Sequence, residues 1–137
     1  GSGGTQSGSI VGKIYYKSNI KILGISVKDQ KNKQEEKVFK LAKEACNYFQ
    51  CIEPKREDVI AFDDYVGAGY GIPTAGMKEA VKLMAKKEAI LLDPVYSGKG
   101  FDGLLDLISK KYFNDKDKLL FIHTGGAVSL SAYEWAF

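Results

Sequence analysis

The stretch that decides the fold is Ile20-Lys21-Ile22-Leu23-Gly24-Ile25-Ser26-Val27. This run is apolar and rich in β-branched residues, and it has the length of a buried strand. From about Lys33 to Phe49 the spacing changes to that of an amphipathic helix, whose apolar face consists of Val38, Leu41, Ala42, Ala45 and Phe49. A buried strand followed by a helix with one apolar face indicates an α/β protein.

The same alternation continues along the chain. Helices are predicted at Gln6 to Tyr16, after Thr74 and at about Gly98 to Tyr112, and short strands at Ile90 to Leu92 and Leu119 to His123. Asp63 to Pro73, with three glycines and a proline, is predicted to be a loop. Continuous apolar strands between helices favour a mainly parallel sheet in a three-layer αβα fold, with the ligand at the carboxyl ends of the strands.

Residue types predict further details of the helices. Thr74 suits an N-cap, and the helix after it has an apolar stripe of Met77, Ala80, Val81 and Met84. The expected core face of the last helix is Phe101, Leu104, Leu105 and Ile108. Gly8 and Gly12 share one face of the first helix, where that helix could pack closely against a sheet.

Composition argues against several classes of protein. A chain of 137 residues, 45% hydrophobic and 27% charged, is typical of one globular domain or of a piece of a larger one. Its net charge of +3 comes from basic residues mixed with acids, so we expect no nucleic-acid partner. No apolar run is long enough for a membrane span, and Cys46 and Cys51 match no zinc motif. We therefore expect a cytoplasmic protein with neither a membrane partner nor a metal.

The chain opens with a possible phosphate-binding loop, Gly1-Ser2-Gly3-Gly4-Thr5. Successive backbone N–H groups on a glycine-rich turn, followed by a helix N-terminus, form an anion site, and the Thr5 hydroxyl can add a donor. The loop matches neither a P-loop nor the dinucleotide-binding glycine pattern. A linker has a similar composition, so these residues alone leave both interpretations open.

Three later segments give the loop a context. They are Asp64-Tyr65 with Gly69-Tyr70-Gly71-Ile72-Pro73; Leu91-Leu92-Asp93-Pro94-Val95-Tyr96-Ser97-Gly98-Lys99; and Phe121-Ile122-His123-Thr124-Gly125-Gly126. In this order and spacing, the whole chain resembles the D-cysteine desulfhydrase and 1-aminocyclopropane-1-carboxylate (ACC) deaminase family. These are pyridoxal-5′-phosphate enzymes of fold type II, the tryptophan-synthase-β-like group.

The resemblance implies roles for the matching residues. Tyr70 and Tyr96 would be the catalytic tyrosines on the substrate side of the cofactor ring. The cofactor-binding residues would be Gly1, Ser2, Gly3, Gly4 and Thr5 at the phosphate, and Ser97, Thr124 and Gly125 near the pyridine nitrogen. Lys99 and His123 stay outside the catalytic set, because a lysine opening a helix is usually solvated and a histidine ending an apolar strand is usually a hydrogen-bonded core residue. Asp63 and Asp64 look like loop chemistry rather than an acid–base pair.

Ser97 bears on the substrate. The ACC deaminases of the family have a glutamate after the corresponding tyrosine, which would keep the pyridine nitrogen protonated. Desulfhydrase-like members have a hydroxyl there. Ser97 and Thr124 are neutral, which favours a less protonated ring and β-elimination from D-cysteine over the opening of a cyclopropane.

The resemblance also implies that the chain is the C-terminal part of a longer enzyme. The Schiff-base lysine would lie upstream of the loop, so we expect the chain alone to be inactive. Its partners would be a small amino-acid substrate, the missing N-terminal segment and a second subunit in a homodimer. The alternative from another functional class is a non-catalytic phosphate-binding module, complete as it stands.

Overall fold

Two short parallel strands anchor the first half of the chain. The computed structural model describes residues 1–137 as two units, Gly1–Asp63 and Asp64–Phe137, and both strands belong to the first. Strand β1 is Leu23–Ile25 and strand β2 is Ile60–Phe62, with Leu23 opposite Ile60 and Ile25 opposite Phe62. The parallel pairing agrees with the predicted α/β class.

Two helices cover the first unit: α1 is Gly4–Tyr15 and α2 is Lys31–Tyr48. Every fourth residue of α2 is buried, namely Gln34, Val38, Ala42 and Cys46. The apolar members of this stripe, Val38, Ala42 and Cys46, form a core with Ile10 and Val11 of α1 and with Val59, which follows a 3-10 turn at Arg56–Asp58. The predicted amphipathic helix is confirmed, although it ends one residue before Phe49, whose ring is exposed.

The second unit contains helices α3, Ala75–Glu88, and α4, Ser97–Ser109, and a 3-10 segment at Ala127–Ala136. Thr74 is the N-cap of α3 as predicted, and its Oγ1 accepts a hydrogen bond from the Met77 N–H at 3.2 Å. A core of Met77, Val81 and Leu92 lies between the elements, with Met84, Phe101, Phe121 and Leu130 packed against it.

Helices α3 and α4 approach each other closely at Gly98. A Cβ atom on Gly98 would lie 2.8 Å from Val81 Cγ2 and 2.7 Å from the Asp93 carbonyl oxygen, so there is no room for a side chain. Gly100 differs, because a Cβ there would lie at an ordinary contact distance of 3.5 Å from the Phe121 ring.

Some expectations about regular structure are wrong. Ile90–Leu92 and Leu119–His123 are not paired as strands, since no other segment of the chain forms a backbone ladder with them. The buried stripe of α4 contains Lys99, Gly103 and Leu107, whereas Ile108 is exposed. The expected core face is therefore right for Phe101, which packs against the core, and wrong for Ile108.

Gly8 and Gly12 do not pack against a sheet. No atom outside α1 lies within 4 Å of a Cβ built on either residue. The close approach predicted from their spacing is therefore wrong. None of the helices combines the length and the apolar character needed to span a bilayer.

Gly98→Ala should destabilise the chain by about 1–3 kcal/mol, because its methyl group would overlap α3 and the Asp93 carbonyl. Gly100→Ala is the matched control in the same helix and should be neutral or stabilising, by up to about 1 kcal/mol. Urea unfolding followed by circular dichroism measures both. Equal stability of the two variants would contradict the proposed packing.

Candidate cofactor and substrate site

The N-terminal loop has the geometry of an anion site. Gly3 is the N-cap of α1 with φ of 85°, in the left-handed region, and as a glycine it has no side chain to cap the helix. A Cβ on Gly3 would lie 2.9 Å from Val38 Cγ2, so both the backbone and the packing require glycine. The helix is 12 residues long, and its first-turn amides have no partner within it. These features fit a phosphate group.

Two hydroxyls and the side chain of Lys37 lie at the same loop. Ser2 and Thr5 are exposed, and the Ser2 Oγ accepts a long hydrogen bond, 3.4 Å, from the Gly4 N–H. Lys37 Nζ donates to the Gly1 carbonyl at 3.0 Å and also pairs with Asp29. Hydrogen bonds from Lys37 and Lys33 lower the pKa of Asp29 to about 2. The carboxylate near the loop is thus fully ionised but compensated by two cations.

Asp93 organises the candidate site of the second unit. This side chain is only 2% exposed, and its carboxylate accepts hydrogen bonds from the N–H groups of Val95, Tyr96 and Ser97 at 2.9, 2.7 and 2.7 Å. The Ser97 Oγ donates to the same carboxylate at 2.6 Å and accepts from the Asp93 N–H at 2.8 Å. Asp93 therefore fixes the backbone on which Tyr96 and Ser97 stand.

The hydroxyl of Ser97 is already used as a donor. Because its one hydrogen points to Asp93, only a lone pair remains for a ligand. Ser97 is also buried, at 5% exposed. Its predicted place near a pyridine nitrogen stays a prediction, but the hydroxyl brings no charge of its own.

Tyr70 and Tyr96, the two tyrosines expected on the substrate side of the cofactor ring, lie together. Their hydroxyls are hydrogen-bonded, and the rings meet edge to face with centroids 6.0 Å apart. Both rings are about half exposed, at 48% and 46%. The hydrogen bond to Tyr70, together with burial, raises the pKa of Tyr96. The Tyr96 hydroxyl therefore holds its proton at neutral pH and can donate it.

The turn that carries Thr124 and Gly125 lies close to Asp93. Gly125 and Gly126 have φ of 93° and 98°, and a Cβ on Gly126 would lie 3.0 Å from Asp93 Cγ. Asp93 thus brings Tyr96, Ser97 and the Thr124 turn together. His123 is exposed rather than in the core; its Nε2 hydrogen-bonds the Leu91 carbonyl oxygen at 3.2 Å.

The prediction that Lys99 is solvated is wrong. It is 0% exposed instead of solvated, and its Nζ donates to the carbonyls of Val66, at 2.6 Å, and Gly69, at 3.2 Å. Burial lowers its pKa. The position of Lys99 in the sequence could have predicted its burial, because Lys99 lies on the same helical stripe as Gly103 and Leu107. Asp63, by contrast, is loop chemistry as expected, since it accepts from the Lys31 N–H at the start of α2.

Comparison with known proteins shows the family. The model of the pyridoxal-phosphate dependent enzymes matches residues 1–125, and the chain belongs to this family, whose cofactor is pyridoxal phosphate. D-cysteine desulfhydrases from Salmonella newport (strain SL254) and Salmonella typhi are each 43% identical to it over 133 residues. That match covers 97% of this chain and 40% of each relative.

A solved structure agrees with this assignment. The crystal structure of an ACC deaminase homologue superposes with a TM-score of 0.81 at 35% sequence identity, over 91% of this chain and 37% of that protein. The chain is therefore an α/β part of a fold type II pyridoxal-phosphate enzyme, and it spans about two fifths of the length of its relatives.

Asp93→Asn should destabilise the chain by about 1–3 kcal/mol, because an amide cannot accept all the hydrogen bonds that the carboxylate receives. Urea unfolding at pH 7 measures the loss.

Asp102→Asn on α4 is the matched control. Burial and the charge of Asp106 raise the pKa of Asp102, so its ionised form is disfavoured in the fold, and removing that charge should not cost stability at pH 7. If both variants lost the same free energy, Asp93 would have no special role.

Proposed function

We propose that the protein containing this chain is a pyridoxal-phosphate dependent lyase that catalyses β-elimination, converting D-cysteine and water into pyruvate, hydrogen sulfide and ammonia. The observation that carries the proposal is the neutral hydroxyl of Ser97. Asp93 holds this hydroxyl by a hydrogen bond, and Ser97 directly follows Tyr96, one tyrosine of the hydrogen-bonded pair. The 43% identity to D-cysteine desulfhydrases supports the same reaction.

In this proposal the phosphate is held by Gly1, Ser2, Gly3, Gly4 and Thr5. The first-turn amides of α1, which have no partner within the helix, would donate to the phosphate oxygens, and the hydroxyls of Ser2 and Thr5 would add two donors. The left-handed Gly3 turns the chain so that its backbone can approach an anion closely.

Tyr70 and Tyr96 would act on the substrate. Bound pyridoxal phosphate supplies an electron sink for the bond that is broken at the α-carbon. A tyrosine hydroxyl carries its proton at neutral pH, and the raised pKa of Tyr96 keeps it protonated, so its role would be that of a donor rather than a base. We propose that the pair orients the substrate and delivers a proton to the departing sulfur.

Ser97, Thr124 and Gly125 would lie near the pyridine nitrogen. None of them carries a charge, and the lone pair left on the Ser97 hydroxyl would stabilise a proton on that nitrogen less than a carboxylate does. A less protonated ring is a weaker electron sink, which is sufficient when a good leaving group departs from the β-carbon. This is the physical basis for preferring D-cysteine.

The second candidate is an ACC deaminase, which forms 2-oxobutyrate and ammonia. It is favoured by the superposition with a solved ACC deaminase homologue. The opening of a cyclopropane has no comparable leaving group and needs a stronger electron sink, which the neutral Ser97 does not support.

We further propose that this chain alone is inactive and works with an upstream segment, which would carry the cofactor-binding lysine, and with a second subunit. The share of the relatives' length that it covers, 40%, supports the need for another segment. The two cysteines, Cys46 and Cys51, form no disulfide, which agrees with a reducing compartment such as the cytoplasm.

The lysine proposal can be tested by trapping. The chain of residues 1–137 mixed with pyridoxal phosphate should show no specific visible absorbance band, and borohydride should fix no cofactor on one defined lysine. The full-length protein is the control and should be labelled upstream of the loop. Stoichiometric labelling of a single lysine within residues 1–137, located by peptide mass spectrometry, would overturn the proposal.

Ser97→Glu in the full-length protein should lower the ratio of kcat/KM for D-cysteine to that for ACC by about tenfold or more, equivalent to about 1.4 kcal/mol. The cause would be a carboxylate that strengthens protonation of the ring. Ser97→Gln, similar in size but neutral, is the control and should not change the ratio in that direction. The same ratio in Ser97→Glu and Ser97→Gln would count against the role of charge at this position.

A further inference from the structure

The peptides on both sides of Tyr70 are held by side chains from two other elements. We propose that Lys99 and Tyr133 are positioning residues, which clamp the Gly69 and Gly71 carbonyls and thereby keep the Tyr70 hydroxyl on Tyr96. Both residues act through the backbone of the loop that carries Tyr70.

Lys99 holds the side of the loop that precedes Tyr70. The Gly69 carbonyl accepts from Lys99 Nζ at 3.2 Å, and the Val66 carbonyl accepts from the same ammonium at 2.6 Å. Burying an ammonium group costs free energy, and an apolar side chain of similar length would fill the same space without that cost. The two carbonyls therefore explain what a buried lysine contributes at this position.

Tyr133 holds the side that follows Tyr70. Its hydroxyl, from the 3-10 segment Ala127–Ala136, donates to the Gly71 carbonyl at 2.9 Å. Gly71 has φ of 75°, and a Cβ on it would lie 3.3 Å from the Tyr133 hydroxyl, so the contact is close on a left-handed glycine. The Ile72 N–H also donates to the Gly69 carbonyl at 3.2 Å, which closes a turn around Tyr70.

Helix α4 connects the two tyrosines, because it begins directly after Tyr96 and its Lys99 contacts the loop of Tyr70. Lys99 lies three residues after Tyr96, so the helix that carries one tyrosine also fixes the loop that carries the other. A loop with glycines at positions 67, 69 and 71 has many backbone conformations open to it. Fixing the carbonyls before and after Tyr70 selects the one in which the two hydroxyls meet.

The positioning can be tested apart from the activity. That the tyrosine pair acts on a substrate rests on the proposed function; that Lys99 and Tyr133 hold the pair together does not. The first test therefore uses the 137-residue chain without cofactor and reads the tyrosine pair directly.

The measured quantity is the pH midpoint at which Tyr96 titrates. It is monitored by NMR, through the ring carbon that bears the hydroxyl, in protein whose eight tyrosines are isotopically labelled. Tyr70→Phe and Tyr96→Phe assign the signals. The hydrogen bond to Tyr70 raises the pKa of Tyr96, so Tyr70→Phe should move the Tyr96 midpoint to lower pH. Lys99→Met and Tyr133→Phe should move it in the same direction, because each releases one side of the loop.

Lys82→Met is the matched control. Lys82 is a lysine of the same unit that pairs with Glu79 on the surface of α3, so this variant should leave the Tyr96 midpoint in place. Circular dichroism checks the fold of each variant. If Lys99→Met does not fold, Tyr133→Phe decides the test, since it removes a single hydroxyl.

An unchanged Tyr96 midpoint in Tyr133→Phe, or in folded Lys99→Met, would overturn the proposed clamp. An unchanged midpoint in Tyr70→Phe would also overturn it, because the pair would then not exist in solution. In the full-length protein, Tyr133→Phe should lower kcat for D-cysteine severalfold with little change in KM. Absence of lyase activity in the unsubstituted protein, with the NMR shifts intact, would sink the proposed function and leave the clamp standing.

Discussion

A single buried carboxylate connects the parts of the candidate substrate site. Asp93 receives three backbone N–H groups and one hydroxyl at the start of α4, and it contacts the turn that follows His123. These donors would otherwise be unsatisfied at a buried helix terminus, so the carboxylate and the helix stabilise each other. The same interactions determine where Tyr96 points and what the Ser97 hydroxyl can still do. Replacing Asp93 would thus disturb Tyr96 and Ser97 directly.

Local signals in the sequence predict a good part of this structure. Thr74 caps its helix, and α2 buries one residue in four, because capping and amphipathic spacing depend only on neighbouring residues. The grouping of Tyr96 and Ser97 around Asp93 is also a local pattern, since an aspartate side chain readily accepts from amides two to four residues further on.

Features that depend on distant contacts could not be predicted in this way. Strand β2 has only three residues, Ile60–Phe62, and it exists because β1 lies beside it. Four of the five buried residues of α4 are small or polar, namely Ser97, Gly98, Lys99 and Gly103, so an apolar count gives the wrong orientation. The burial of Lys99 depends on carbonyls some thirty residues earlier in the chain. The resemblance to a family predicts that Tyr70 and Tyr96 belong to one site. The contacts that hold them in place can be seen only in the three-dimensional structure.

Lys99 has a chemical consequence of its own. Pyridoxal phosphate is an aldehyde, and any accessible, unprotonated amine can condense with it. A lysine three residues from Tyr96 would be a competitor for that aldehyde if its amine were exposed. In this fold the amine has no exposed surface and donates hydrogen bonds to two backbone carbonyls, so the nucleophile is kept out of reach. In the proposed site, the burial of Lys99 would keep its amine from forming a Schiff base with the cofactor, while the same side chain holds the loop of Tyr70.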